Sequence, residues 1–299
     1  MTSQAVPTRA GRVGALVAAL RPRQWLKNVL VLAAPLGAGS LFEPDVLVPT
    51  LWAVVAFCLA SSGTYLVNDV ADVEADRAHP VKRHRPVAAG LLPVGPAIGA
   101  AVLLLASAVL LGLAVRPALG ATVAAYVTAT LAYSLWLKHE PVLELALLAL
   151  GFLLRAVAGG AATGIPLSQW FLIVAGFGSL FMAAGKRYSE LASLAEGETA
   201  ARRALDGYTT SYLRFVWGVA AGVTIMSYCL WAFEVAQVPS SLPWAVWSVL
   251  PFVLGVLRYA VDVDRGAAEA PEDAVLRDPV LLGLGLAWAV LFGLGALAV

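Results

Sequence analysis

Apolar positions in this chain do not alternate with polar ones; they gather into nine runs, with the polar residues left between them. The runs cover roughly 26–42, 46–67, 94–115, 117–137, 141–163, 167–185, 210–235, 243–260 and 279–298. Most approach the length a helix needs to cross about 30 Å of hydrocarbon. The first is short and carries Pro35 and two glycines, Gly37 and Gly39, so it is the weakest span. Basic residues ahead of it and small residues at 25–39 also fit a secretory signal. The long polar segment before it favours a retained span. Residues 13–20 set Val13, Leu16, Val17 and Leu20 on one helical face, as in a short helix lying at the membrane surface. The expectation is an all-α integral membrane protein of about nine transmembrane helices. Residues 1–24 would form a cytoplasmic segment with that interfacial helix, and 25–299 a single transmembrane catalytic domain.

Composition agrees: 60% of residues are hydrophobic, 13% are charged and the mean hydropathy is +0.82, which excludes an ordinary soluble domain. Lys and Arg are distributed unevenly. With the N-terminus inside, eighteen of the twenty fall on the inner side, leaving Arg116 outside and Arg155 within a span. This orients the chain, N-terminus inward, in the inner (plasma) membrane. The inner segments 69–92, 186–209 and 261–278 are long, and the outer connections are short, so the work is expected on the cytoplasmic side. A net charge of +1 argues against a nucleic-acid surface. Cys58 and Cys229 lie within spans, and His79, His84 and His139 show no zinc spacing.

The inner end of the second run reads Asn68-Asp69-Val70-Ala71-Asp72-Val73-Glu74-Ala75-Asp76. Aspartates at i, i+3 and i+7 of a continuing helix share one face. Three crowded like charges call for a cation, and carboxylate oxygens suit Mg²⁺, which completes its shell with substrate phosphates; Mn²⁺ is the alternative ion. Lys82, Arg83, His84 and Arg85 follow at once, suited to phosphate oxygens. A solvated charged loop would also account for the basic residues, but not for an acidic face abutting the span. The pattern reads as a metal–diphosphate site.

The second inner loop opens Lys186-Arg187-Tyr188-Ser189-Glu190, where two cations and an acid meet at a helix end. Arg155 lies midway along the fifth run, where an ionisable group is a functional candidate by default. Glu144, eleven residues earlier on the same face, offers a structural Arg–Glu bridge as the competing reading. Tyr133 and Lys138 close the fourth run near the same surface.

These residues resemble the UbiA superfamily of intramembrane prenyltransferases. Asn68-Asp69-x-x-Asp72-x-x-x-Asp76 is similar to its first aspartate-rich motif, and Tyr133 to Lys138 to its Tyr–Lys segment. The resemblance implies a helical bundle around a cavity open to the cytoplasm and laterally to lipid. One departure matters. The family's second aspartate-rich motif is replaced by Lys186-Arg187-Tyr188-Ser189-Glu190. Together with Arg21-Pro22-x-Gln24-Trp25-x-Lys27-Asn28, and with Arg258-Tyr259 through Pro271-Glu272-Asp273 to Asp278-Pro279, this looks like the actinobacterial branch that phosphoribosylates decaprenyl phosphate.

The resemblance implies transfer from 5-phosphoribosyl 1-diphosphate to a polyprenyl phosphate, Mg²⁺-dependent, feeding arabinan and cell-wall precursor synthesis. Asp69, Asp72 and Asp76 would hold the metal, with Asn68 orienting a carboxylate or a ribose hydroxyl. Lys82, Arg83, Arg85, Lys138, Arg155, Lys186 and Arg187 would cage the phosphates beside Tyr133. Gln24 and Lys27 would hold the acceptor phosphate, with the prenyl tail in a lateral groove. Tyr188 and Glu190 would contact the ribose. Partners are then the donor, the acceptor lipid and the bilayer, with a homo-oligomer left open. Two alternatives compete. A conventional prenyltransferase, moving a prenyl group to an aromatic or other small acceptor, is disfavoured by the missing second aspartate cluster. A phospholipid-type transporter or flippase has no need of a metal-binding triad, and no inverted repeat supports it.

Overall fold

The computed structural model of the protein describes residues 9–193, 207–235, 242–268, 274 and 276–297. Among these there is no strand, and eight helices are long and apolar enough to span a membrane. They are α3 (Pro44–Ala71), α5 (Val94–Val115), α6 (Pro117–Leu135), α7 (Leu143–Thr163), α8 (Gln169–Ser193), α9 (Thr210–Val235), α10 (Trp244–Asp264) and α11 (Pro279–Leu297). Shorter pieces are α1 (Arg9–Ala19), α2 (Ala33–Gly37) and α4 (Val73–Ala78). Arg202, Arg203 and the Pro271-Glu272-Asp273 segment lie outside the described residues.

The first apolar run takes an unusual form. Residues Pro22–Leu32 wind as a 3-10 helix that passes directly into α2. The tighter 3-10 coil rises about 2.0 Å per residue against 1.5 Å for α. Eleven residues of one and five of the other therefore reach about 30 Å, roughly a hydrocarbon thickness, despite the short run. The segment packs on α3 and α7. Gly159 of α7 makes that possible, because a Cβ there would press on the Val31 carbonyl and lie 2.7 Å from Pro35 Cδ.

Two packed groups build the bundle. In one, α3, α5, α6 and α7 meet through Ala53, Phe57, Ala108, Leu119, Val123, Tyr126 and Ala158. In the other, α8, α9 and α10 meet through Phe181, Ala184, Tyr188, Leu213, Tyr259 and Val263. Alanine is the commonest buried residue in both seams, as expected where lipid removes the hydrophobic drive and close contact supplies the attraction. Outward positions such as Val102, Leu103, Leu110, Phe215, Leu250 and Leu286 stay exposed, as lipid-facing positions should.

The α1 helix forms where the sequence placed it. Its Ala15 and Ala19 bury against Leu66, Val87 and Ala97, while Val13 and Val17 face outward. Asp278 starts α11: its Oδ1 accepts the amide N–H groups of Val280 (2.8 Å) and Leu281 (3.3 Å), and its Oδ2 accepts Arg258 Nε at 2.6 Å. The Arg258 hydrogen bond holds its carboxyl below the usual carboxylate range.

Candidate active site

Two polar clusters gather at the end of the bundle that carries the long loops. The first is built on the end of α3. There Asp72 leaves the helix (φ −95°, ψ 7°), yet its N–H still bonds to Asn68 O, and Asp76 N–H to Asp72 O. The path from α3 into α4 thus stays nearly helical. Seven residues is almost two full turns, so Asp69 and Asp76 stack, and both accept from Arg85 Nη1, at 3.4 and 2.7 Å. Asp72 turns aside to pair with Lys138 and accepts from Asn68 Nδ2 at 3.2 Å.

Asp69 is 1% exposed and is also paired with Arg21. Arg21 holds a left-handed backbone (φ 53°, ψ 61°), a strained state for a residue with a Cβ. Its guanidinium lies 4.8 Å from the centre of the Tyr65 ring. So three carboxylates are ringed by Arg21, Arg85 and Lys138, whose side chains keep 23–26% of their surface exposed. Asp69 Oδ2 is buried without a hydrogen-bond partner.

The three aspartates expected to share a cation do not converge on one point. Among the described residues no three acids, histidines or cysteines approach closely enough to cage an ion by themselves. Asp72 has rotated away, and arginine and lysine partly neutralise the carboxylates. The residues still fit Mg²⁺ of the substrate-completed kind, since such an ion takes one or two carboxylates and fills its shell with phosphate oxygens. The orphaned oxygen of Asp69 and the rim-exposed Asp72 are the ligands available.

The second cluster centres on Arg187. Its guanidinium pairs with buried Glu144, donates to Glu190 Oε2 at 2.5 Å and reaches the Tyr133 hydroxyl at 3.3 Å. Glu144 Oε2 accepts the Tyr208 hydroxyl at 3.1 Å. Burial, with the Glu144 carboxylate beside it, pushes the Tyr208 hydroxyl above its usual range. The same hydroxyl accepts the N–H of Val142, a β-branched residue held at φ 70° just before α7. Lys186 lies 3.6 Å from Glu190. The end of α6 links the clusters, since Tyr133 touches Arg187 and Lys138, five residues on, touches Asp72.

Several assigned residues stand elsewhere. Arg155 is 6% exposed, and its three nitrogens already donate: Nε to Asn28 Oδ1 (2.9 Å), Nη1 to the Gly151 carbonyl (2.8 Å) and Nη2 to the Tyr126 hydroxyl (2.8 Å). It is a buried brace, neither part of a phosphate cage nor the partner of Glu144, which Arg187 holds instead. Its charge is satisfied by a carbonyl, an amide, a phenol and the Tyr126 ring face 4.7 Å away.

The Tyr188 hydroxyl is committed to Arg214 (2.6 Å) and Asp264 (3.3 Å) and not to the cavity. Arg187, expected to add positive charge, has two carboxylates around it. Lys82 and Arg83 are exposed on the loop, with Arg83 beside His84. Gln24 and Lys27 lie partly buried on the 3-10 segment, beside exposed Trp25, Leu26 and Val29.

An apolar hollow of about 410 Å³ lies between α7, α8 and α9, lined by Leu145, Leu153, Phe177 and Val216 among others. Gln24 and Lys27 do not line it. Sequence reasoning gave Arg21, Asn28 and Tyr208 no role. The first two sit in the Arg-Pro-x-Gln-Trp-x-Lys-Asn segment that was already conspicuous, whereas nothing in the sequence signals Tyr208.

Comparison with known proteins agrees with this fold. Residues 29–277 match the UbiA prenyltransferase family. The chain is 50% identical over 278 residues to the decaprenyl-phosphate phosphoribosyltransferase of Corynebacterium glutamicum, covering 91% of this chain and 84% of that one. It is 49% identical to the protein of the same name from Mycobacterium tuberculosis, covering 95% of each. The fold overlays on that of a UbiA homolog from Archaeoglobus fulgidus bound to DMAPP and Mg²⁺, with a TM-score of 0.69 and 17% identity over 95% of this chain and 99% of that one. Family match, near-full-length relatives and fold together make this chain a member of the UbiA prenyltransferase family, an integral membrane protein of the helical-bundle kind.

Proposed function

We propose that this protein transfers the 5-phosphoribosyl group of 5-phosphoribosyl 1-diphosphate to a polyprenyl phosphate, releasing diphosphate. Decaprenyl phosphate is the acceptor named for its relatives. The observation that carries the reading is the pairing of unlike clusters at one end of the bundle. The first presents carboxylates ringed by movable cations. The second has Glu144 and Glu190 closed on Arg187 where a second aspartate-rich motif would serve a prenyl diphosphate donor.

When bound, Mg²⁺ would neutralise the diphosphate and ease departure of its oxygen from C1, held by Asp69 and Asp72. The chain's own groups do the rest. Arg21, Arg85 and Lys138 exchange a carboxylate partner for diphosphate oxygens, since charge-assisted pairs of both kinds are comparable in strength. Lys186, more exposed than Arg187 beside it, is the cation of the second cluster open to the donor's 5-phosphate. A phosphate oxygen of the acceptor attacks C1, the C1–oxygen bond breaks, and its electron pair leaves with diphosphate. The acceptor phosphate is already ionised at neutral pH, so no base has to take a proton. Attack opposite the leaving group inverts the anomeric carbon.

Gln24 and Lys27 flank the acceptor phosphate at the lipid edge, and Trp25, Leu26 and Val29 offer the prenyl tail an apolar surface. The excess of Lys and Arg in the loops at this end supports a bundle in the plasma membrane with this end in the cytoplasm. Purified protein given the donor, a polyprenyl phosphate and Mg²⁺ should release diphosphate and form a phosphoribosylated lipid. Turnover only with a prenyl diphosphate and an aromatic acceptor would return the chain to conventional prenyl transfer.

A further inference from the structure

Arg155 is a cation within a membrane span that touches neither cluster. Such a group is costly unless its bonds are complete, and here two of them run outward to other elements while the third closes on its own helix. Nε donates to Asn28 on the 3-10 segment, and Nη2 donates to Tyr126 on α6. Asn28 is 0% exposed, and its own Nδ2 donates onward to Cys58 Sγ on α3 at 3.2 Å. One guanidinium thus ties the 3-10 segment, α6 and α7 together, and through Asn28 it reaches α3.

The tied segment is the one that needs tying. A run of eleven 3-10 residues exceeds the three or four such helices usually sustain, because their hydrogen bonds are poorly aligned. It also carries the polar side chains of the lipid edge. Arg21 precedes it and holds Asp69, Gln24 and Lys27 lie on it, and Trp25 Nε1 donates to Ser62 Oγ at 3.0 Å. Asn28 and Val31 are its buried residues, and Val31 carbonyl rests against Gly159, one turn beyond Arg155 on the same helix. Fixing Asn28 therefore fixes the rotation of the segment about its axis. That rotation decides whether Gln24 and Lys27 face the aspartates or the lipid.

We propose that Arg155 and Asn28 are positioning residues that hold the 3-10 segment in register and so place the acceptor-phosphate edge opposite the aspartate cluster. The placement half of this inference rests on the acceptor reading of Gln24 and Lys27 given above.

The test uses Asn28→Ala and Arg155→Lys. The first removes one acceptor and leaves the cation; the second keeps the charge and loses the fork. Both are studied as full-length protein in detergent, for amide hydrogen exchange and for steady-state kinetics with 5-phosphoribosyl 1-diphosphate and decaprenyl phosphate. Exchange over residues 22–32 should rise about tenfold or more while α5 amides stay protected, and KM for the lipid should rise about tenfold with KM for the soluble donor changing less than about twofold. Unchanged exchange over 22–32 overturns the brace. Faster exchange there with an unchanged lipid KM overturns the placement half, and with it the acceptor role of Gln24 and Lys27. Faster exchange everywhere, with both KM values rising together, reduces Arg155 to a general packing residue and also overturns the proposal.

Discussion

The two polar clusters use the same ingredients in opposite order. Around α3 the carboxylates are inside and the cations form the rim: Asp69 and Asp76 are nearly closed off, whereas Arg21, Arg85 and Lys138 remain partly exposed. Around α8 the cation is the shared group: Arg187 is held by both Glu144 and Glu190 and touches the Tyr133 hydroxyl. Each cluster is formally near neutral, so net charge does not distinguish them. What distinguishes them is which partner can leave. Asp69 is shared by Arg21 and Arg85, and Asp72 is part-exposed, so Arg21 or Lys138 can swing to an incoming diphosphate without stripping a buried carboxylate of its only cation. Arg187 cannot, because buried Glu144 would then keep its charge with no cation and only the Tyr208 hydroxyl beside it. The first arrangement suits exchange with substrate and the second suits holding helices together.

The sharpest way to break this comparison is at the aspartates. Asp69→Asn and Asp72→Asn should each lower diphosphate release by about a thousandfold, the equivalent of several kcal/mol of charge stabilisation, with the bundle still folded. Residual turnover within tenfold of wild type would move the metal elsewhere.

Next is the contrast between cations. Arg187→Met should cost about 3–5 kcal/mol of stability by stranding a buried carboxylate. Lys138→Met, whose partner Asp72 is part-exposed, should cost under about 1 kcal/mol yet slow turnover about a hundredfold. Thermal melts in detergent beside initial rates separate the two. If Lys138→Met is the more destabilising, the roles of the clusters are reversed.

Metal linkage sharpens the substrate-completed site. Mg²⁺ alone should barely move the melting temperature. Mg²⁺ with 5-phosphoribosyl 1-diphosphate, at about a hundred times its Kd, should add about 2.7 kcal/mol, and EDTA should abolish both that gain and turnover. A large shift with Mg²⁺ alone would mean the chain cages the ion by itself. The smallest effect belongs to Lys186→Met. Losing one part-exposed phosphate contact should raise KM for the donor about tenfold, with stability unchanged. An unchanged donor KM would leave Lys186 as a surface partner of Glu190.

Much of this was legible without coordinates. The eight long spans follow from run length, since a helix must satisfy its own backbone in lipid. The stacking of Asp69 over Asp76 follows from helical period alone, and so does the nearness of Arg187 and Glu190. Composition and the Asp-x-x-Asp-x-x-x-Asp spacing pointed to the family that the comparisons confirm. Other features depended on packing between distant segments. Arg155 looked like a cavity cation because local sequence shows only a charge in an apolar run; its partners, Asn28 and Tyr126, lie 127 and 29 residues away. Glu144 lies on the same helical face as Arg155, but Arg187 reached it from α8. Tyr188 turned to Arg214 and Asp264 because its position on α8 faces the seam with α9 and α10.

The sequence by itself thus determined which segments are long and apolar enough to enter the membrane, at which end of them the charged residues collect and which residue types meet there, because hydropathy and helical period act over neighbouring residues. Only the tertiary structure decided which charge sits inside which ring, because ion pairs across helices depend on crossing points and rotations. Gly159 illustrates the step between the two levels. In the sequence it is one small residue among many, and in the fold it is the gap through which the 3-10 segment reaches α7.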